Sequence, residues 1–198
     1  MVGMALTAPP GLTGFAGARA KPSPVVRLFS MIVPKDQVAV TVDCEGEAVE
    51  CPDTVDRVFD QASISRHRLP EAAADGDQIT VPLESLAWGR SGDKGNKANI
   101  GIIARHPDFL PAIAAQITEQ RVADLFQHFL TADQPEPVER FYMPGPSAFN
   151  FLLHDVLGGG GIASLRVDPQ GKGYAQVLLA ETVQLPAALA EKHALVSS

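Results

Sequence analysis

Residues 86–105, LAWGRSGDKGNKANIGIIAR, decide the fold, because a polar, glycine-rich segment joins two apolar ones here. Residues 86–89 and 99–105 have the composition of β-strands. Between them, Gly92 and Gly95 can adopt positive φ at no steric cost, so the backbone N–H groups of residues 91–96 can converge on one point. The stretch therefore predicts a strand, a long loop that concentrates amide donors, and a second strand.

Two cations in this loop suggest what it binds. Arg90 offers a planar fork of donors for a carboxylate or phosphate, and Lys94 offers a point charge. Asp93 would orient one of them or act as a base. The pattern favours an anion-binding loop, while an ordinary hairpin loop whose polar side chains bond to its own backbone remains the alternative. No Walker loop and no G-x-S-x-G elbow is present.

Downstream of this segment, helices alternate with strands. One helix is predicted from the apolar spacing of residues 119–130, and a second from Phe149, Leu152, Leu153, Val156 and Leu157 after Pro146. Pro107 suits the first turn of another helix. Ile79–Leu83 reads as a strand, and so do residues 138–143, 163–168 and 174–179. Residues 186–193 are expected to form either a short terminal helix or a frayed tail. From residue 85 the order is β, β, α, β, α, β, β, which predicts an α+β, two-layer sandwich of ferredoxin-like type.

The run Gly158, Gly159, Gly160 and Gly161 is a second candidate site. One glycine is enough to end a helix, so four suggest either close approach of a ligand to the backbone or a mobile joint. Asn150 and His154 lie four residues apart on the expected helix before this run. They would face the same ligand or, equally well, solvent.

The N-terminal part of the chain predicts a smaller unit. Residues 1–24 are rich in Gly, Ala and Pro and are expected to form a disordered leader. Residues 25–77 read as a β-hairpin, with arms at 25–33 and 37–43, followed by a charged linker. The main domain is expected at 78–185 and a C-terminal tail at 186–198.

Composition excludes several classes of function. The net charge is −7 without a Lys/Arg block, which argues against nucleic acid and against a polybasic membrane anchor. Apolar runs are too short to cross a bilayer, and no secretory signal begins the chain, so a cytoplasmic protein is expected. Cys44 and Cys51 lack further ligands, and the histidines are scattered along the chain, so we predict no metal and no cofactor. Ser91 has no base that the sequence can locate, so no catalytic residue is assigned.

The motif at residues 86–101 resembles the "ARSGDKG…NIG" signature of the acyclic terpene utilisation family, in its small C-terminal ferredoxin-fold domain. Two further stretches agree in the same order along the chain: residues 138–152 with VERF, a Pro and AFNFL, and residues 157–166 with LGGG and SLR. Residues 24–30, PVVRLFS, look like the end of the family's larger N-terminal domain. The matched polar positions are Arg90, Ser91, Gly92, Asp93, Lys94, Gly95, Asn96, Asn99, Asn150, Gly158, Gly159 and Gly160.

This resemblance implies a bacterial protein of acyclic terpene or branched acyl-CoA catabolism. Two functions are then open. In the first, an accessory, substrate-handling domain binds an anionic group, such as the phosphate or carboxylate end of an acyl-CoA, at the Arg-Ser-Gly-Asp-Lys-Gly segment. In the second, the same segment serves a structural or oligomerisation module without a ligand. The expected protein partners are further copies of the chain or the family's larger N-terminal domain, and independent catalysis is disfavoured.

Overall fold

The structure is a computed structural model that describes residues 24, 26, 29–51, 59–71, 76–131 and 134–195. It is an α+β fold, as predicted. The strands are β1 Thr41–Cys44, β2 Glu47–Glu50, β3 Gln78–Pro82, β4 Ala87–Lys94, β5 Lys97–Ala104, β6 Val138–Met143, β7 Ala148–Leu153 and β8 Thr182–Pro186. The helices are α1 Leu83–Leu86, α2 Leu110–Gln116, α3 Glu119–Phe126, α4 Tyr174–Leu179 and α5 Ala187–Lys192.

Three antiparallel sheets organise these elements. The main sheet has the order β4-β5-β7-β6, while β3 pairs with β8 and β1 pairs with β2. In the main sheet, Trp88 lies opposite Ile103, and Ile103 lies opposite Ala148. Side chains alternate between the two faces of a strand, so this register assigns each residue of the sheet to one face.

One face of the main sheet carries the hydrophobic core. Ile100 and Phe151 lie opposite each other on β5 and β7, and both are fully buried. The helices supply the second layer of this core, through buried side chains such as Ile113, Phe126 and Leu178 on α2, α3 and α4. The other face, which we call the open face, keeps Trp88 and Ile103 about half exposed. A two-layer arrangement with one uncovered sheet face results.

Several predicted elements are confirmed. The strand over 138–143 has the observed bounds, and the strand at 99–105 corresponds to β5. The helix at 119–130 is α3, which begins where the Thr118 side chain accepts a hydrogen bond from the Arg121 N–H at 3.2 Å. Pro107 starts a 3₁₀ turn that leads into α2. Among the described residues, no helix is long and apolar enough to span a bilayer.

The predicted helix at 146–157 is wrong, because residues 148–153 form β7. The apolar residues of this segment fit both the spacing of a helix face and the alternation of a strand. Phe149, Phe151 and Leu153 alternate and are all buried, while Asn150 and Leu152 are half-buried on the opposite face. Pairing with both β5 and β6 favours the strand, since tertiary context overrides a local helical spacing.

The two predicted strands near the end of the domain are also wrong. Residues 163–168 form no strand, and Leu165 and Val167 are almost fully exposed. Residues 174–179 form α4, whose buried residues Tyr174, Ala175 and Leu178 follow the spacing i, i+1 and i+4 of a helix face. The strand that pairs with β3 comes later, at 182–186, and the short terminal helix follows it as predicted.

The N-terminal hairpin is present, but its arms differ from the prediction. They are β1 and β2, so only the end of the predicted second arm is a strand, and its partner lies within the predicted linker. Glu45 and Gly46 form the two-residue turn with positive φ at both positions, which is one of the conformations that favour such hairpins. In the predicted first arm, residues 25, 27 and 28 lie outside the described residues, and the described ones form no strand. The leader, apart from Pro24, also lies outside them.

Candidate functional site

The Arg90–Lys94 segment is strand, not loop. The β4-β5 register runs without interruption from Ala87 opposite Ala104 to Lys94 opposite Lys97, which leaves Gly95 and Asn96 as the turn. The predicted loop with converging amides is therefore wrong. Because Gly95 adopts a φ of +67°, the chain reverses within two residues. The pairing of β4 with β5 therefore continues up to Lys94 and Lys97.

The strand conformation separates the motif into two faces. Arg90, Gly92 and Lys94 lie on the open face of β4, and Ser91 and Asp93 lie on the core face. The two cations that the sequence singles out thus share one surface. Alternate side chains of a strand point to the same face, so the strand conformation, and not a loop, brings the two cations together.

A cavity of about 430 Å³ lies over the open face. This volume is in the lower half of the range typical for small-molecule sites. The small residues Gly92, Gly101 and Ala148 lie on the open face of the neighbouring strands β4, β5 and β7 and leave the space open. The site residues Arg90, Ser91, Gly92, Lys94 and Asn99 all line this cavity.

Lys172 is a third cation of the cavity, and sequence reasoning missed it. Its ammonium group lies over Gly92, so close that a Cβ at residue 92 would approach Lys172 Nζ to 2.9 Å. Glycine at 92 is what makes room for this ammonium group. The lining contains Arg90, Lys94 and Lys172 and no carboxylate, so among the described residues the cavity has a uniformly positive charge. Lys94 Nζ donates to the neighbouring Asp93 carbonyl at 2.8 Å.

The rest of the cavity wall is apolar. Trp88, Ile103 and Met143 lie in one row across β4, β5 and β6, and they keep 54%, 45% and 39% of their surface exposed. Pro146 completes this side. Arg105 stacks on the Trp88 ring, with Cζ 4.7 Å from the ring centroid, and fixes this wall from outside. The cavity therefore has a cationic end and an apolar end.

Asn99 and Asn150 form a polar pair between the two ends. Asn99 Nδ2 donates to Asn150 Oδ1 at 3.0 Å, and both lie on the open face. The predicted pairing of Asn150 with His154 on a helix is wrong. His154 lies just after β7 and bonds to Glu139, with Nε2 and Oε1 2.6 Å apart.

Ser91 has a structural role on the core face. Its hydroxyl donates to the Lys172 carbonyl at 3.1 Å and accepts from the Ala175 N–H at 2.9 Å. It thus caps the first turn of α4 from a distant strand. Ser91 is 5% exposed, so its hydroxyl is committed to these partners. Next to it, burial raises the pKa of Tyr174 above its usual value.

The glycine run buttresses the β4-β5 turn. Gly159 N–H donates to Asn96 Oδ1 at 2.6 Å, and Leu157 N–H donates to the Asn96 carbonyl at 3.1 Å. Gly158, Gly159 and Gly160 all have positive φ, and a Cβ at Gly160 would lie 3.0 Å from the Gly95 carbonyl oxygen. The structure brings these glycines to the turn and not to the cavity wall.

Asp93 faces away from the cavity, towards the same segment. A Cβ at Gly161 would lie 3.4 Å from Asp93 Oδ2. The fold therefore divides the twelve predicted site residues into three groups. The first group lies at the cavity: Arg90, Gly92, Lys94 and Asn99, with Asn150 beside them. Ser91 is the second group and connects β4 to α4. The third group forms the β4-β5 turn and its support: Asp93, Gly95, Asn96, Gly158, Gly159 and Gly160.

Comparison with known families identifies the domain. A family model described as "AtuA ferredoxin-like domain" matches residues 81–184, which is more than half of the chain. The chain belongs to this family. The match covers β4 through α4 and both ends of the cavity, and it confirms the acyclic terpene utilisation resemblance. Neither a curated protein nor a solved structure gave a significant match.

Proposed function

We propose that this AtuA ferredoxin-like domain is a substrate-handling module that binds an amphipathic anion in the open-face cavity. The carboxylate or phosphate end of the ligand lies against Arg90, Lys94 and Lys172. The branched hydrocarbon lies against Trp88 and its apolar neighbours. The observation that carries the proposal is the lining itself, which combines three cations without a carboxylate at one end and an apolar wall at the other.

Each feature of the cavity has a role in this account. A guanidinium forms a bidentate contact with an oxyanion, and two ammonium groups add point charges. The apolar wall excludes water from the bound chain, which strengthens these contacts. The volume suits one end of an acyl-CoA or a free branched acid. Acyclic terpene catabolism, which the family relationship suggests, proceeds through ligands of this class.

Binding measurements on cavity variants test the proposal. The panel contains a methyl-branched and a linear acyl-CoA of equal chain length, the two free acids, and CoA alone, each measured by isothermal titration calorimetry. Arg90→Met and Lys172→Met each remove one charge-assisted contact, which contributes about 1.5–3 kcal/mol, so we expect roughly 10- to 100-fold weaker binding. Lys97→Met is the matched control, because Lys97 lies on the same face but outside the cavity lining. Unchanged affinity in the double variant Arg90→Met/Lys172→Met would refute the proposal.

The exposed apolar row favours one alternative, a surface for contact with another protein subunit. Trp88, Ile103 and Met143 are large side chains left open to solvent in a single patch. Light scattering after size-exclusion chromatography separates the two functions. A subunit contact predicts that Trp88→Ala lowers the molecular mass, whereas the ligand site predicts an unchanged mass and weaker binding of the branched ligand.

A further inference from the structure

Away from the cavity, the fold assembles a cluster of three potential metal ligands. Two of them, Asp108 and His193, are 85 residues apart in the sequence. His106 precedes the 3₁₀ turn after β5, Asp108 lies within that turn, and His193 follows α5. One ligand atom from each of the three lies within 4.8 Å of the other two. Two of the five histidines, which look scattered along the chain, therefore meet in space.

The distances within this cluster match those of a coordination shell. His106 Nδ1 lies 3.4 Å from Asp108 Oδ1, and His193 Nε2 lies 3.1 Å from Asp108 Oδ2. Two nitrogen or oxygen ligands bound at about 2.0–2.1 Å to a tetrahedral zinc ion are about 3.4 Å apart. Each histidine thus already lies at about this separation from one oxygen of Asp108.

His106 Nδ1 is the atom of this ring that faces Asp108. The Asp108 N–H donates to His106 Nδ1 at 3.2 Å, and Asp108 Oδ1 lies 3.4 Å from the same nitrogen. A metal ion on Nδ1 would use the lone pair that now accepts from the Asp108 N–H, so metal binding exchanges this hydrogen bond for a coordination bond.

Neighbouring side chains hold the cluster in place. The His106 and His193 rings lie 4.4 Å apart between centroids, and His193 packs edge-on against the buried Phe109 at 4.7 Å. Lys192 Nζ lies 2.7 Å from Asp108 Oδ2 and competes with a metal for that oxygen.

We propose that His106, Asp108 and His193 bind a divalent transition metal, with zinc as the best match to two imidazoles and one carboxylate. Three protein ligands leave a fourth position for water or a further ligand. The ion links the C-terminal helix α5 to the turn that follows β5. This site is separate from the open-face cavity and does not depend on the function proposed for it.

Zinc titration of suitable variants tests the site. The background is the full chain without an affinity tag, carrying Cys44→Ser and Cys51→Ser so that the exposed thiols cannot bind the metal. We expect one zinc per chain by isothermal titration calorimetry, and His106→Ala or His193→Ala should weaken binding by more than about tenfold, since even partners of metal ligands contribute that much. His128→Ala removes an exposed histidine elsewhere and should leave binding unchanged. Absence of stoichiometric binding, or equal affinity in all three variants, would overturn the proposal.

Two further measurements guard against variants that simply misfold. Lys192→Met removes the competing ammonium group and should tighten zinc binding, whereas weaker binding would identify the cluster as an ion-pair network and contradict a metal site. Zinc should also raise the Tm of the parent protein but not that of Asp108→Asn, because a ligand stabilises only the state that binds it. Far-UV circular dichroism of every variant without metal establishes that the fold is retained.

Discussion

Replacing Ser91 with alanine should destabilise the domain, although Ser91 belongs to the most distinctive motif of the sequence. The Ser91 hydroxyl is the acceptor for the Ala175 N–H at 2.9 Å, and Ala175 is fully buried. In Ser91→Ala this N–H loses its partner in a place that water does not reach, which costs about 1–3 kcal/mol. The Lys172 carbonyl loses its partner as well, but residue 172 is exposed and water can replace the hydroxyl. We therefore expect a decrease of about 2 kcal/mol in the free energy of unfolding.

Urea unfolding measures this decrease directly. The single tryptophan, Trp88, lies on β4 three residues before Ser91, so its fluorescence reports on the affected strand. Ser63→Ala is the matched control, because its hydroxyl also donates to a backbone carbonyl, at 2.6 Å from the Asp60 oxygen, but in an exposed turn. That variant should stay within about 0.5 kcal/mol of the parent protein. An unchanged midpoint and m-value for Ser91→Ala would refute the structural role of this hydroxyl.

Three other predictions concern a strained glycine, a buried arginine and a charged aspartate. Gly160→Ala should lower the free energy of unfolding by about 2 kcal/mol, because φ is +94° and the added Cβ would lie 3.0 Å from the Gly95 carbonyl oxygen. Gly145→Ala is the control, because a Cβ there meets no atom within 4 Å and should leave the stability unchanged. Thermal unfolding compares the two variants. Arg140→Met should cost about 1–3 kcal/mol in urea unfolding, since this 8% exposed side chain donates to the Ala114 and Ile117 carbonyls, which then lose a donor, while the 44% exposed Glu119 partner is hydrated; an unchanged free energy of unfolding would contradict this. The hydrogen bonds from Lys192 and His193 lower the pKa of Asp108 to about 2, so its charged carboxylate stabilises the folded protein above pH 4 and this stabilisation is lost as pH falls towards 2. The difference in unfolding free energy between the parent protein and Asp108→Asn should therefore shrink between pH 4 and pH 2, and a pH-independent difference would contradict the lowered pKa.

The sequence predicts the elements with a single clear period and fails where two periods fit. In α3, Val122 and Phe126 lie four residues apart and are buried, as a helix requires. Along β7, the same apolar residues fit both a helix and a strand, and only the neighbouring strands β5 and β6 determine the outcome. Local spacing carries no information about such partners.

The candidate site shows a similar division. Arg90 and Lys94 are visible in the motif, and their residue types indicate an anion. Lys172 is not visible, because it reaches the cavity only after α4 packs against β4 and its ammonium group lies over Gly92. The metal-ligand cluster is hidden for the same reason, since His106 and His193 meet only when β8 returns the chain to β3 and places α5 beside the turn after β5.

Amide chemical-shift mapping is the most direct test of the anion-binding cavity. A ¹⁵N-labelled sample titrated with the tightest ligand of the panel reports which part of the fold the ligand contacts. Our account predicts shifts at residues 88–92, 99–103 and 172, with small changes at the buttressing glycines 158–160. Shifts confined to the glycine run, or an unchanged spectrum at saturating concentrations of every ligand in the panel, would contradict it.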